Sequence, residues 1–192
     1  MRVVLDPNQP DFFVSATKQL EEYEEVEIGS FICKDWLVYY NLYNPENFED
    51  PDNPPEWYTS ADIYDYYETP YTNPDKVLLF CNEKTVDLSA LRNLIEHGEQ
   101  REQEILSRLV KYTFGNDSAY AAGVHYDYAK KTIEQLHQKT YTKEAFLKRN
   151  LCLDTIELVA DQSVLLLHFD CSWDEEHGLL IRLEDGEIVE IE

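Results

Sequence analysis

The last forty residues alternate apolar and polar positions with the period of a strand. "LCLDTIELVA", "SVLLLHFDCSW", "GLLIRLE" and "EIVEIE" form four such runs. In the second, Leu165, Leu167, Phe169, Cys171 and Trp173 share one face, while His168 and Asp170 share the other. In the third, Leu179, Ile181 and Leu183 face inward, opposite Arg182 and Glu184. Asp185-Gly186 is a two-residue hairpin signal. The pattern predicts an antiparallel meander with one face on helices and one face wetter. Asp174–His177 is expected as the loop joining two of these strands, with Gly178 supplying a positive φ for re-entry.

Before the meander the spacing becomes helical. "KVLLFC", residues 76–81, reads as a short strand. Leu88, Leu91, Leu94 and Ile95, then Ile105, Leu106, Leu109 and Val110, predict one long helix capped by Asp87 and ending before Gly115, with Gly98 its weak point. A second helix is expected from a cap at Asn116, Asp117 or Ser118, carrying Ala121, Ala129, Ile133 and Leu136. "YTKEAFLKRN" predicts a short third, capped by Tyr141 or Thr142. Towards the N-terminus, strands are expected over Val26–Cys33 and Trp36–Tyr43. The fold class is α+β: central helices packed on an antiparallel C-terminal β-meander, with an N-terminal strand-rich acidic segment. Residues 1–75 form the acidic, aromatic, strand- and loop-rich part; residues 76–192 hold the helices and the sheet, and the whole is expected as one compact unit.

Charge narrows the partners. The 192 residues carry 39 acids against 16 lysines and arginines, a net charge of −23. Such a field repels nucleic acid and anionic membrane and attracts basic proteins. With 43% hydrophobic residues the chain still has material for a core. No signal-peptide pattern opens "MRVVLDPNQPDFF", and no apolar run reaches the roughly 18 residues of a membrane span, so a cytoplasmic location is expected. Cys33, Cys81, Cys152 and Cys171 are far apart, form no C-x-x-C pair and sit in strand-like segments. Buried, reduced thiols are expected, with a zinc site or a disulfide as the alternatives.

Within residues 44–75 lie six of the eight prolines, nine acids and no base, interleaved with tyrosine and tryptophan. The prolines forbid a long helix or a central strand, leaving room for a short helix over Ser60–Tyr67. Rings beside carboxylates suit a binding surface; they equally suit a cover for the sheet. The candidate partner-binding residues are Trp57, Tyr64, Tyr66 and Tyr67, with Glu56, Asp62 and Asp65 as their electrostatic complement.

"CSWDEEHG" concentrates reactive side chains. As chemistry, Asp174, Glu176 and His177 would make a metal-binding domain or a metal-dependent enzyme, since carboxylates orient an imidazole and hard cations take oxygen ligands. As structure, Asp174 holds a turn, His177 pairs with a carboxylate and Gly178 frees the backbone. No H-E-x-x-H, EF-hand, G-x-S-x-G or P-loop motif accompanies it, so no catalytic residue, metal or cofactor is assigned. Cys171 faces the predicted core and is a poor nucleophile.

These residues also carry a resemblance. Cys171, Trp173, Asp174, Glu176, His177 and Gly178, with the helical segment before them, resemble an uncharacterised bacterial family of unknown function marked by a C-terminal W-D-x-E-H-G strand followed by one more hairpin. The resemblance covers about residues 77–192. It implies a small cytosolic protein without an established enzymatic activity, and some such proteins accompany polymorphic-toxin loci. The expected function is therefore a non-enzymatic protein-binding protein, an immunity protein that neutralises a basic toxin domain. A housekeeping interaction scaffold is the remaining alternative.

Overall fold

Seven strands form one hydrogen-bonded sheet, in chain order from β1 to β7, among the residues that the computed structural model describes: 3–38, 75–81, 87–115, 130–131, 134, 138–159, 163–171 and 174–192, with backbone alone for 174–176. The strands are β1 (Val4–Leu5), β2 (Glu25–Gly29), β3 (Lys76–Cys81), β4 (Leu151–Val159), β5 (Val164–Cys171), β6 (Asp174–Glu184) and β7 (Glu187–Ile191). The β1–β2 and β3–β4 pairs are parallel and the other four are antiparallel. Four helices are described with them: α1 (Phe12–Glu22), α2 (Ser89–Glu96), α3 (Gly98–Phe114) and α4 (Lys143–Leu147). The fold is a mixed α+β arrangement with a mostly antiparallel sheet.

The period-2 residues line the core. Leu165, Leu167, Phe169, Cys171, Leu179, Ile181 and Leu183 are all buried. They share a single apolar cluster with Val77 and Leu79 of β3, Val26 and Ile28 of β2, and the buried stripe Leu91, Leu94, Ile105 and Leu109 of α2 and α3. Asp185 and Gly186 both take positive φ, 49° and 83°, in the turn between β6 and β7.

Four local expectations need correction. Residues 1–75 include a helix where strand and loop were expected: in "FFVSATKQLEE", Phe12, Ala16 and Leu20 recur every fourth residue and are buried. The strand expected to reach Cys33 stops at Gly29, and the chain then bends, with Cys33 at φ 55°. The long helix breaks at His97, whose φ of −115° and ψ of 22° leave the helical region. His97 closes that break by stacking two contacts on the Asn93 carbonyl, its backbone N–H at 3.2 Å and its ring Nδ1 at 3.0 Å. Finally, Asp174–His177 is not loop but the first part of β6, with Asp174 paired to Cys171.

Thr142 caps α4 as expected, its Oγ1 accepting the Ala145 N–H at 3.2 Å. Asp87 accepts the Ser89 N–H at 2.8 Å, but the N-cap position of α2 is Leu88, one residue later than expected. Of the strand expected over Trp36–Tyr43, Val38 forms an isolated bridge with Asn150; residues 39–43 lie outside the described residues. The second expected helix, its cap residues, and Ser60–Tyr67 also lie largely or wholly outside them.

One carboxylate ties the N-terminal segment to the helices. Glu102, on α3, accepts the Trp36 indole N–H at 2.9 Å, the Cys33 backbone N–H at 3.0 Å and the Lys148 ammonium at 2.8 Å. Trp36 is fully buried and its ring lies 5.9 Å from that of Phe169, so the carboxylate positions a central core side chain. Partial burial pushes the Glu102 pKa up, but the bonds from Lys148, Trp36 and Cys33 outweigh this and hold it below the ordinary 4.5. A depressed folded-state pKa gives stability that is present at neutral pH and lost as pH falls through the folded value. Glu102→Gln is expected to cost about 1–2 kcal/mol at neutral pH, because an amide keeps only part of a charge-assisted network. Urea unfolding of both proteins from about pH 7 down to about pH 3 checks this: the gap should narrow with acid, and a constant gap would refute it.

Candidate functional site

The W-D-x-E-H-G stretch occupies the β5–β6 hairpin. Phe169 pairs with Leu179, and the next pair is Cys171 with Asp174. Between these pairs β5 offers only Asp170, whereas β6 runs from Glu175 to Gly178. The surplus backbone must bulge out of the ladder. Gly178 absorbs it with φ 65°, and a Cβ there would stand 2.4 Å from the Phe169 carbonyl oxygen. Thus the glycine serves both a left-handed backbone and a close approach that no side chain permits.

The motif's two described side chains have different surroundings. Cys171 is 2% exposed and packs in the core, whereas His177 is exposed to water. Trp173 and the side chains of Asp174 and Glu176 lie outside the described residues. His168 does not stand opposite His177; Leu180 takes that register position, and His168 Nε2 instead meets Glu157 Oε2 of β4 at 3.2 Å. On the same sheet face Asp170 lies near Asp154. Partial desolvation, and after it the Asp154 charge, raise the Asp170 pKa although its side chain still reaches water. Asp154 itself accepts the Thr155 hydroxyl at 2.7 Å. Arg182 and Glu184, at 2.7 Å, complete a row of ionic groups on this face.

This face offers an imidazole–carboxylate pair, His168 with Glu157, and Thr155 stands opposite His168 with its hydroxyl given to Asp154. All four thiols are buried and none is in a disulfide. Cys81, Cys152 and Cys171 lie in strands, while Cys33 sits in the bend before Trp36. Burial, and then the neighbouring Glu102 carboxylate, push the Cys33 thiol well above its ordinary value, the opposite of what a reactive thiolate needs. Among the described residues no three His, Cys, Asp or Glu side chains converge to hold a metal ion. No helix among them is long and apolar enough to cross a membrane.

A surface cavity of about 450 Å³ lies between α3 and β7, walled by Gln100, Gln103, Glu104, Ser107, Arg108, Glu187 and Ile188. Arg101 braces its rim, reaching Glu104 at 2.7 Å and Glu187 at 3.5 Å. Glu104 is held below the usual carboxylate range by hydrogen bonds from Gln100 and Arg101. The Gly186 turn closes against this brace: a Cβ on it would lie 2.9 Å from Asn93 Oδ1 and 3.0 Å from an Arg101 terminal nitrogen.

Glu102 and Glu157 are the ionic residues that sequence reasoning passed over. Glu102 falls three residues before Ile105, on the apolar stripe of its helix, and a lone acid in that stripe was the available signal. Glu157 alternates with the buried Ile156 and Leu158, which placed it on the outer face without naming its partner.

A family model described as a domain of unknown function, DUF6985, matches residues 47–192, and the chain belongs to that family. The match starts well before the resemblance expected from residue 77. It therefore takes in Glu56, Trp57, Asp62, Tyr64, Asp65, Tyr66 and Tyr67, all of which lie outside the described residues. No curated protein and no solved structure matches the chain.

Gly178→Ala is expected to destabilise the fold by about 2 kcal/mol or more, combining the cost of a left-handed alanine with a clash against backbone. Thermal unfolding checks it; a neutral alanine would mean that the hairpin does not need its bulge. The four thiols should resist a thiol-specific reagent in native buffer and all react in denaturant. Prompt native labelling of any one would contradict its burial.

Proposed function

We propose that this protein is a non-enzymatic cytoplasmic binding protein that neutralises a basic toxin, acting as an immunity protein. Its net charge of −23 is the observation that carries the reading. An acidic field of that size on a folded sheet raises the encounter rate with a basic protein and opposes nucleic acid and anionic surfaces. Toxins that act on nucleic acid present a basic face, and an inhibitor gains by matching it. The burial of all four thiols supports binding over covalent chemistry. Membership of a family of unknown function is compatible with this role and assigns no other.

The anchors of the contact are Trp57, Tyr64, Tyr66 and Tyr67, which give a large contact area at low entropic cost, and Glu56, Asp62 and Asp65 supply complementary charge. All seven fall within the residues that the family model matches.

The test pairs capture with rescue. The full chain is used as bait, each captured protein is expressed alone, and growth is scored with and without the chain. A basic protein that is toxic alone and tolerated with the chain supports the proposal; captured proteins that are neither basic nor toxic overturn it. Trp57→Ala should weaken binding to that partner about tenfold or more with the fold intact, read by titration calorimetry and circular dichroism. Unchanged affinity removes residue 57 from the contact.

A further inference from the structure

Of the five large apolar side chains exposed among the described residues, two, Val3 and Tyr23, line one cleft at the N-terminal edge of the sheet. Here β1 forms the end of the sheet, held only by a two-residue parallel pairing to β2. A cleft of about 340 Å³ opens between the end of α1 and the adjoining strands, with Val3, Tyr23 and Leu78 among its apolar walls. Glu22, Glu25 and Glu27 supply its carboxylates.

These three acids are not equivalent. Glu27 is answered by Lys76 at 2.8 Å. Glu22 and Glu25 are exposed and meet no cation among the described residues. They lie on either side of Tyr23, which is 60% exposed, in the stretch Glu21–Glu25, acidic at every position but the tyrosine. An exposed aromatic ring between uncompensated carboxylates, beside a cleft at the lower limit of ligand-site volumes, fits one kind of occupant: an aliphatic stem ending in a cation. Lysine and arginine side chains have that form.

We propose that this corner is a second docking surface, which receives an extended, lysine- or arginine-bearing segment of a protein partner. The stem of the basic residue lies along Val3, Tyr23 and Leu78, and its head lies between Glu22 and Glu25. The inference rests on the reading of a basic protein partner, but it places contact outside the domain matched from residue 47, apart from Leu78. Two contact surfaces on one chain would raise affinity by linkage, without either being strong alone.

The probe is a short peptide alternating lysine and valine, titrated into the full isotope-labelled chain at about 0.15 M salt. Amide shifts should concentrate at residues 3–5, 19–27 and 78. The double variant Glu22→Gln/Glu25→Gln should bind about fivefold to tenfold more weakly, the scale of two exposed ion pairs. Glu99→Gln/Glu190→Gln removes the same charge from exposed positions on α3 and β7 and should change binding less than twofold. Tyr23→Ala should weaken binding while leaving the fold intact.

Equal loss in both double variants, or shifts centred elsewhere, would overturn this surface while leaving a basic partner in place. Absence of any binding also overturns it, and the capture-and-rescue experiment then decides the basic-partner reading by itself.

Discussion

The parallel pairing of β3 with β4 is the constraint from which the rest of the architecture follows. Antiparallel neighbours can be joined by a tight turn, but parallel neighbours need a connection that returns along the whole length of the sheet. The chain between Cys81 and Leu151 is that connection, and it carries α2, α3 and α4. Once the helices are committed to the crossover, their apolar stripes have a sheet to cover, and Val77, Leu79, Ile156 and Leu158 lie in the same cluster as Leu91 and Leu109. Everything after β4 can then proceed by short antiparallel connections. Glu102 works within this frame: from the crossover it reaches the bend that holds Cys33 and Trp36, which precede β3 in the chain.

Local pattern made the C-terminal strands legible. Alternation at Leu165, Leu167 and Phe169, and at Leu179, Ile181 and Leu183, is a short-range signal, and Asp185-Gly186 is a turn written in two residues. What escaped detection depends on distance. Nothing near Val77 says that β3 has β2 on one side and β4 on the other. The α1 pattern of Phe12, Ala16 and Leu20 is short and runs directly into a dense series of glutamates, whose composition favours solvent over a packed helix face. The break at His97 had a local hint in Gly98, yet the kink is completed by His97 folding back on the Asn93 carbonyl.

The hairpin motif shows the same division. Gly178 was readable as a backbone position needing positive φ, and it has it. The extent of β6 was not, because residues Asp174–His177 resemble loop in composition, and the strand is extended by the pairing of Asp174 with Cys171 across a bulge. Composition reports solvent preference; a ladder is set by what lies alongside. Function follows that rule too, since charge is a property of the whole chain and shows in the sequence, whereas the places where opposite charge would be felt depend on which acids already have partners.

The boundary of the matched domain and the boundary of the sheet do not coincide. The family match begins at residue 47, but β2 and β1 precede it and extend the sheet beyond β3. A fragment cut at that boundary would leave the Lys76–Cys81 strand as a raw edge, its backbone donors and acceptors unanswered and its Val77, Leu79 and Cys81 row open at the side. Such an edge is a template for another molecule's strand, so the fragment would be prone to self-association. The first two strands thus act as a hem on the fabric: they cover the edge of β3 and keep it from pairing with its neighbours.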